Sequence, residues 1–247
     1  FVTQKILFVI LALTFYFAFG PEGILVGYGV SLLLFSQIIY KSFKNNKVDF
    51  SVIRERKNFL AHNYISDLSA TARNNIDKLI VAPLLGFSVL GNYFVGIQIM
   101  VLMLIIPVIV FKYTLHEDSI GESTRKIKIL TIVVSFFIML LGIFVAPLVI
   151  PIVLPAYATA VDLIPIISLA VIPRTISMMI FSSFLGQEKT KFVLVGNVIT
   201  FCVLAISIFP LSELFEVTGI AIAYVIGFSS STVYLIIKYF QSRNKNQ

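Results

Sequence analysis

The stretch Ile129–Tyr157, ILTIVVSFFIMLLGIFVAPLVIPIVLPAY, carries no charged residue. About 20 apolar residues suffice for a helix to cross the hydrocarbon core of a bilayer, so this run is too long for one crossing and must turn, near Pro155. A second run, Leu79–Phe111, is also uncharged and too long, and its glycines place the turn at Gly86 to Gly91. Working outward by the same rule gives an all-α, polytopic transmembrane helix bundle of about eight spans. They are Ile6–Phe19, Ile24–Tyr40, Phe59–Ala82, Phe87–Phe111, Ile129–Leu154, Ala160–Leu185, Phe192–Phe209 and Val217–Ile237.

The whole chain agrees with that reading. Of its 247 residues 58% are hydrophobic and 13% charged, against about 45–50% and about 25% in ordinary soluble domains, and the mean hydropathy is +0.99. Such a composition excludes a soluble enzyme with a single anchor, a disordered chain and a nucleic-acid-binding domain. Lys5 before Ile6–Phe19 could be a signal peptide's charged and apolar regions, but seven further segments favour a span. The chain opens on Phe1 and enters an apolar run at once, which reads as the truncated remainder of a longer protein.

Lys and Arg mark the cytoplasmic side of short loops. With Lys5 inside, alternate crossings put 16 of the 19 cations inside: Lys5, the cluster between Lys41 and Lys57, Lys112, Arg125, Lys126, Lys128, Lys189, Lys191, Lys238, Arg243 and Lys245. The outer turns near Pro21, Gly86, Tyr157 and Leu211 hold none. The expectation is a multi-pass protein of the cell membrane with both termini of this chain cytoplasmic. Lys41–Lys57 interleaves Phe43, Val48, Phe50, Val52 and Ile53 with its cations; it reads either as an amphipathic helix on anionic membrane lipid or as a plain cationic loop.

Arg73, Lys78 and Arg174 remain, and each costs about 2.5–3.5 kcal/mol at mid-membrane by insertion scales unless something meets it. At about 100° per residue, Asn63, Asp67, Thr71, Asn74 and Lys78 share one stripe of the third span, with Ser66, Arg73 and Asp77 beside it. Arg73 lies about 15 Å inward from Pro83 and Arg174 about 18 Å inward from Asp162, both near the middle of a core about 30 Å thick. Pro165 and Pro173 are expected to kink the helix that carries Arg174 and to expose carbonyls there. Gln98 adds a hydrogen-bonding side chain at similar depth. A structural alternative pairs Arg73 with Asp77 one turn on, lets Asp67 bond to neighbouring helices and lets Lys78 reach the outer interface. Arg174 has no carboxylate within a turn, which makes it a functional candidate.

No catalytic constellation appears, so no enzyme is expected. Cys202 is the sole cysteine, His62 and His116 are the sole histidines, and neither a metal site nor a cofactor is expected; nucleotide-binding fingerprints are absent.

Several stretches look familiar. Asn75-Ile76-Asp77-Lys78-Leu79-Ile80-Val81, Leu85-Gly86 and Leu90-Gly91-Asn92-Tyr93 resemble the polar first helix and turn of the second lobe in polysaccharide (O-antigen-type) flippases of the MATE-like transporter superfamily. Leu154-Pro155-Ala156-Tyr157-Ala158-Thr159-Ala160 is similar to their FGPxYxxA outer turn, with Leu154 where Gly is usual. Leu185-Gly186-Gln187-Glu188-Lys189 resembles their GxxK turn, and Thr218-Gly219-Ile220-Ala221-Ile222-Ala223 resembles their GAxGAA helix opening, with Ile for one Ala. The resemblance implies an alternating-access transporter that turns lipid-linked oligosaccharide from the inner to the outer leaflet. Residues 1–40 would be the last two spans of a first lobe, 41–57 a cytoplasmic linker, 58–240 a six-helix second lobe and 241–247 a tail. The implied cavity residues are Arg73, Arg174, Lys78, Asn63, Asp67, Asn74, Asp77 and Gln98, and the implied partner is a lipid-linked sugar phosphate, with the coupling ion and oligomeric state open. A multidrug or small-molecule exporter of the same superfamily is the alternative, though cationic drugs call for anionic cavities. A polytopic glycan-modifying enzyme would need larger outer loops than these, and a structural scaffold would need the Asn63–Lys78 face to be packed without a cavity.

Overall fold

A computed structural model describes residues 2–45 and 57–244, and every element among them is helical. The chain forms two compact units, Phe1–Ala61 and His62–Gln247.

The first unit contains a hairpin of α1 (Val2–Phe19) and α2 (Pro21–Asn45). Gly20 makes the turn at φ 70°, a conformation that glycine adopts without the strain a Cβ would add. The arms touch backbone to backbone: a Cβ on Gly23 would sit 2.0 Å from the Phe15 carbonyl oxygen, and one on Gly27 would sit 2.8 Å from the Ala12 nitrogen. Phe8 and Tyr28 meet edge to face at 5.3 Å. Because α2 runs on to Asn45, the boundary expected at Tyr40 shifts into the cationic segment. Residues 46–56 of the expected Lys41–Lys57 linker lie outside the described residues.

Helix α3 (Lys57–Met103) reverses at Gly86, whose φ is 85°. Sixteen residues of straight helix span about 24 Å. Yet the Tyr93 hydroxyl donates to Asp77 Oδ2 at 2.6 Å, which requires the chain to fold back between them. After α3 come α4 (Ile105–Ser119), α5 (Arg125–Phe144), α6 (Ala146–Val153), a 3-10 segment (Pro155–Asp162), α7 (Leu163–Leu169), α8 (Val171–Gly186) and α9 (Thr190–Asn244). His116, Glu117 and Asp118, expected in a loop, form the last turns of α4.

The turn expected between Phe209 and Val217, near Leu211, is made at Glu216, with φ 50° and ψ −125°. Pro210 is carried inside the helix, and the approach of Gly219 to Leu211 fixes the reversal: a Cβ there would lie 1.9 Å from the Leu211 carbonyl oxygen. Farther from the turn, Gly227 faces Leu204 and Gly196 faces Leu235, so the two arms of α9 run antiparallel.

Three passages are broken, at Leu104, Val145 and Ala170, and each break precedes a proline: Pro107, Pro147 and Pro173. Proline has no N–H for the carbonyl four residues back and crowds it, so the turn before it loosens. The kink expected at Pro173 therefore appears three residues earlier. The breaks meet around Gly142, where a Cβ would lie 2.2 Å from Met103 Cε and 2.5 Å from Ser168 Oγ.

Four helical stretches are long and apolar enough to cross a membrane: Leu68–Met103, Arg125–Phe144, Ala160–Gly186 and Thr190–Ser242. Their outer faces are apolar, as Leu79, Leu102, Phe137 and Ile206 show, whereas Ser135, Ser168, Thr175, Thr200 and Ser231 are buried. Such a distribution suits a hydrocarbon solvent, in which small residues and hydroxyls pack and join helices.

The second unit has two unlike ends. At one, Lys128 Nζ donates to Asp118 Oδ2 at 2.5 Å and to Ser183 Oγ at 2.6 Å, while Lys189 Nζ donates to Ser242 Oγ at 2.6 Å. At the other, Ser88, Asn92, Asp162, Glu216 and Thr218 line one cleft of about 390 Å³. No Lys or Arg occurs in residues 79–111, 129–173 or 192–237, so the turns of this second end carry only the carboxylates Asp162, Glu213 and Glu216.

Candidate functional site

The polar stripe of α3 supplies the first part of the site. Asp77 is 1% exposed, its Oδ2 held by Tyr93 and its Oδ1 without a hydrogen-bond partner. Lys78 Nζ lies 3.5 Å from that Oδ1 and donates at 2.7 Å to the Asn74 carbonyl, one turn back toward the start of α3. Of the two readings of Lys78, the one that carries it to the outer interface is not the one seen: two oxygens behind it hold its ammonium. Buried charges are tolerated where such partners exist.

Arg174 supplies the second part. It sits in the first turn of α8, directly after the break at Ala170. Its guanidinium donates to the Tyr224 hydroxyl and stands 4.6 Å from the centroid of the Phe228 ring. An aromatic face and a hydroxyl are good partners for a guanidinium and leave its charge uncancelled. Among the described residues no carboxylate forms an ion pair with it.

The two parts share one core. Tyr93, Val81, Leu104, Val171, Tyr224 and Phe228 pack in a single cluster. The carbonyl of Pro173 is 2.9 Å from Thr232 Oγ1, which also lies 2.8 Å from Ser177 Oγ. Thr232 on α9 thus bonds to the backbone of α8 at the residue before Arg174.

The structure thus sets Asp77 on Tyr93 and Arg174 on Tyr224, two tyrosines of one core, with Lys78 beside Asp77. Asn74 and Gln98 are exposed, and Gln98 lies about 140° around the helix from Tyr93, away from this core. The side chains of Asn63, Asp67 and Arg73 lie outside the described residues. Tyr93, Tyr224, Phe228 and Thr232 escaped the sequence reading. The last three recur every fourth residue, a spacing that puts them on one helix face and that could have revealed them as a polar-aromatic stripe.

No protein-family model, curated protein or solved structure matches the chain. Function must therefore be argued from the chemistry of this core.

Proposed function

We propose that this chain forms the second lobe, with two helices of the first, of an eight-span alternating-access transporter segment that moves lipid-linked oligosaccharide phosphate from the cytoplasmic to the outer leaflet. The observation that carries the reading is Arg174: a guanidinium deep in an apolar helical stretch, seated on Tyr224 and Phe228 rather than on a carboxylate. A phosphate leaving water needs fixed cations, and the cost of burying those cations is offset when it arrives. The guanidinium fork can meet two phosphate oxygens at once, and the Tyr224 hydroxyl can supply a further donor. Arg73 and Lys78 would extend the anion site, with Asn63 and Asn74 available to sugar hydroxyls. A headgroup of charge about −2 moving outward gains about 4–5 kcal/mol from an inside-negative potential of about 100 mV.

In the protein with both lobes, Arg174→Gln should abolish translocation of lipid-linked sugar into the outer leaflet without reducing membrane insertion, and Arg174→Lys should recover part of it. Parental rates in the Gln variant would leave the arginine a structural role only.

The orientation rests on the two unlike ends, the cationic one placed in the cytoplasm. With Cys202 replaced, cysteines at Ser88 and Glu213 should react with an impermeant thiol reagent added outside intact cells, and cysteines at Ser119 and Gln187 should not. All four positions are exposed. The reverse pattern would invert the transporter and with it the direction of transport.

A further inference from the structure

A second cleft opens at the cationic end of the second unit, between α5, α8 and the final turns of α9, with a volume of about 350 Å³. Its wall is apolar, formed by Ile129, Ile132, Ile176, Ile180 and Ile236, while Arg125, Lys128, Ser183 and Tyr239 line it near the helix ends. From Arg125 to Ile132 the cleft follows α5 for seven residues, about 10 Å. A polar rim and an apolar interior at one helix end suit an amphiphile lying along the helices.

The charges narrow the choice. Lys128 is neutralised by Asp118 at 2.5 Å, with Ser183 taking a second of its protons. Arg125 is exposed and forms no ion pair among the described residues. One uncancelled cation thus stands over an apolar groove, which is the complement of one phosphodiester carrying acyl chains. Interfacial cations attract anionic headgroups, and apolar area binds the chains.

We propose that this cleft is a specific site for a singly anionic phospholipid, its phosphate on Arg125 and an acyl chain against Ile129, Ile132, Ile176 and Ile180. The site is independent of the transport reading and requires only that the chain lies in a bilayer.

The protein contains no tryptophan, so Phe240→Trp, on the cleft wall, creates a single tryptophan there that can be excited selectively over the tyrosines. In nanodiscs of phosphatidylcholine with increasing phosphatidylglycerol, brominated phosphatidylglycerol should quench this residue about fivefold more effectively than its mole fraction predicts, the effect of one interfacial cation. Arg125→Gln should remove that preference. Lys126→Gln should keep it, because Lys126 is equally exposed but does not line the cleft. A reporter at Phe137, 60% exposed and outside the cleft, should show no preference. Native mass spectrometry of the protein without a reporter should show phosphatidylglycerol retained by the parent and lost from Arg125→Gln, which covers failure of the tryptophan variant to fold. Equal quenching by both lipids, a preference that survives Arg125→Gln, or an equal loss with Lys126→Gln would overturn the site. Displacement by soluble glycerol phosphate would overturn it too, since it would show a headgroup pocket without chain recognition.

Discussion

Gly219→Ala should prevent α9 from closing into its hairpin and should eliminate most monodisperse protein from detergent extracts. The added Cβ would lie 1.9 Å from the Leu211 carbonyl oxygen and 2.9 Å from the Ser212 nitrogen, so a backbone must move rather than a side chain. Overpacking of a core by a methyl group usually costs about 1–3 kcal/mol. Here the cost should exceed that range, because separating the arms also disturbs the contacts of Gly227 with Leu204 and of Gly196 with Leu235. Gly91→Ala is the control: its Cβ would meet Tyr157 at 3.7 Å, an ordinary contact. Size-exclusion profiles and thermal midpoints should separate the two variants clearly. Equal midpoints would mean that the arms of α9 do not approach as described.

The second large effect should come from Tyr93. Its hydroxyl is the sole hydrogen-bond donor to Asp77 among the described residues, and Asp77 is almost wholly buried. Tyr93→Phe should therefore cost about 1.5–3 kcal/mol, the range for a hydrogen bond to a charged group. Asp77→Leu alone should also destabilise, by leaving the Tyr93 hydroxyl buried without its acceptor. Combining the two replaces both buried polar groups and should restore part of the loss, since the Lys78 ammonium still loses its Asp77 partner and keeps the Asn74 carbonyl. Denaturant titrations of the parent, both single variants and the double variant give the coupling energy. Simple additivity would show that the two groups do not depend on one another.

The helical class and the reversal at Gly86 were legible because charge-free length and glycine punctuation are local signals. The reversal between Phe209 and Val217 was legible as a segment but not to the residue, since nothing local distinguishes Glu216 from Leu211; the approach of Gly219, a contact between arms, decides it. Pro173 announced a distortion but not its place, because the lost hydrogen bond belongs to the carbonyl four residues earlier. At the candidate site, the periodicity of α3 found Asp77 and Lys78 and depth counting found Arg174. Neither could show what faces them. Hydropathy scores Tyr93 and Tyr224 with the aromatic core they belong to, although their hydroxyls are what the charged residues use. Lys78 shows the same limit: its stem could have run toward either end, and the Asn74 carbonyl decided the direction.

The convergence of three helix breaks on Gly142 bears on how such a bundle can move. A continuous helix transmits a tilt from one membrane face to the other, so packed continuous helices must rock as whole bodies. Helices interrupted at a common level can articulate there, with each half following the neighbours on its own side of the bilayer. Met103 and Ser168 press against a residue with no side chain at that level, where a fulcrum would lie, and a helix that lacks the hydrogen bonds of its prolines bends more easily. Arg174 lies just beyond one of these joints. Flexing at that level would turn its guanidinium relative to the α7 half of its own passage and so change which face of the membrane it addresses.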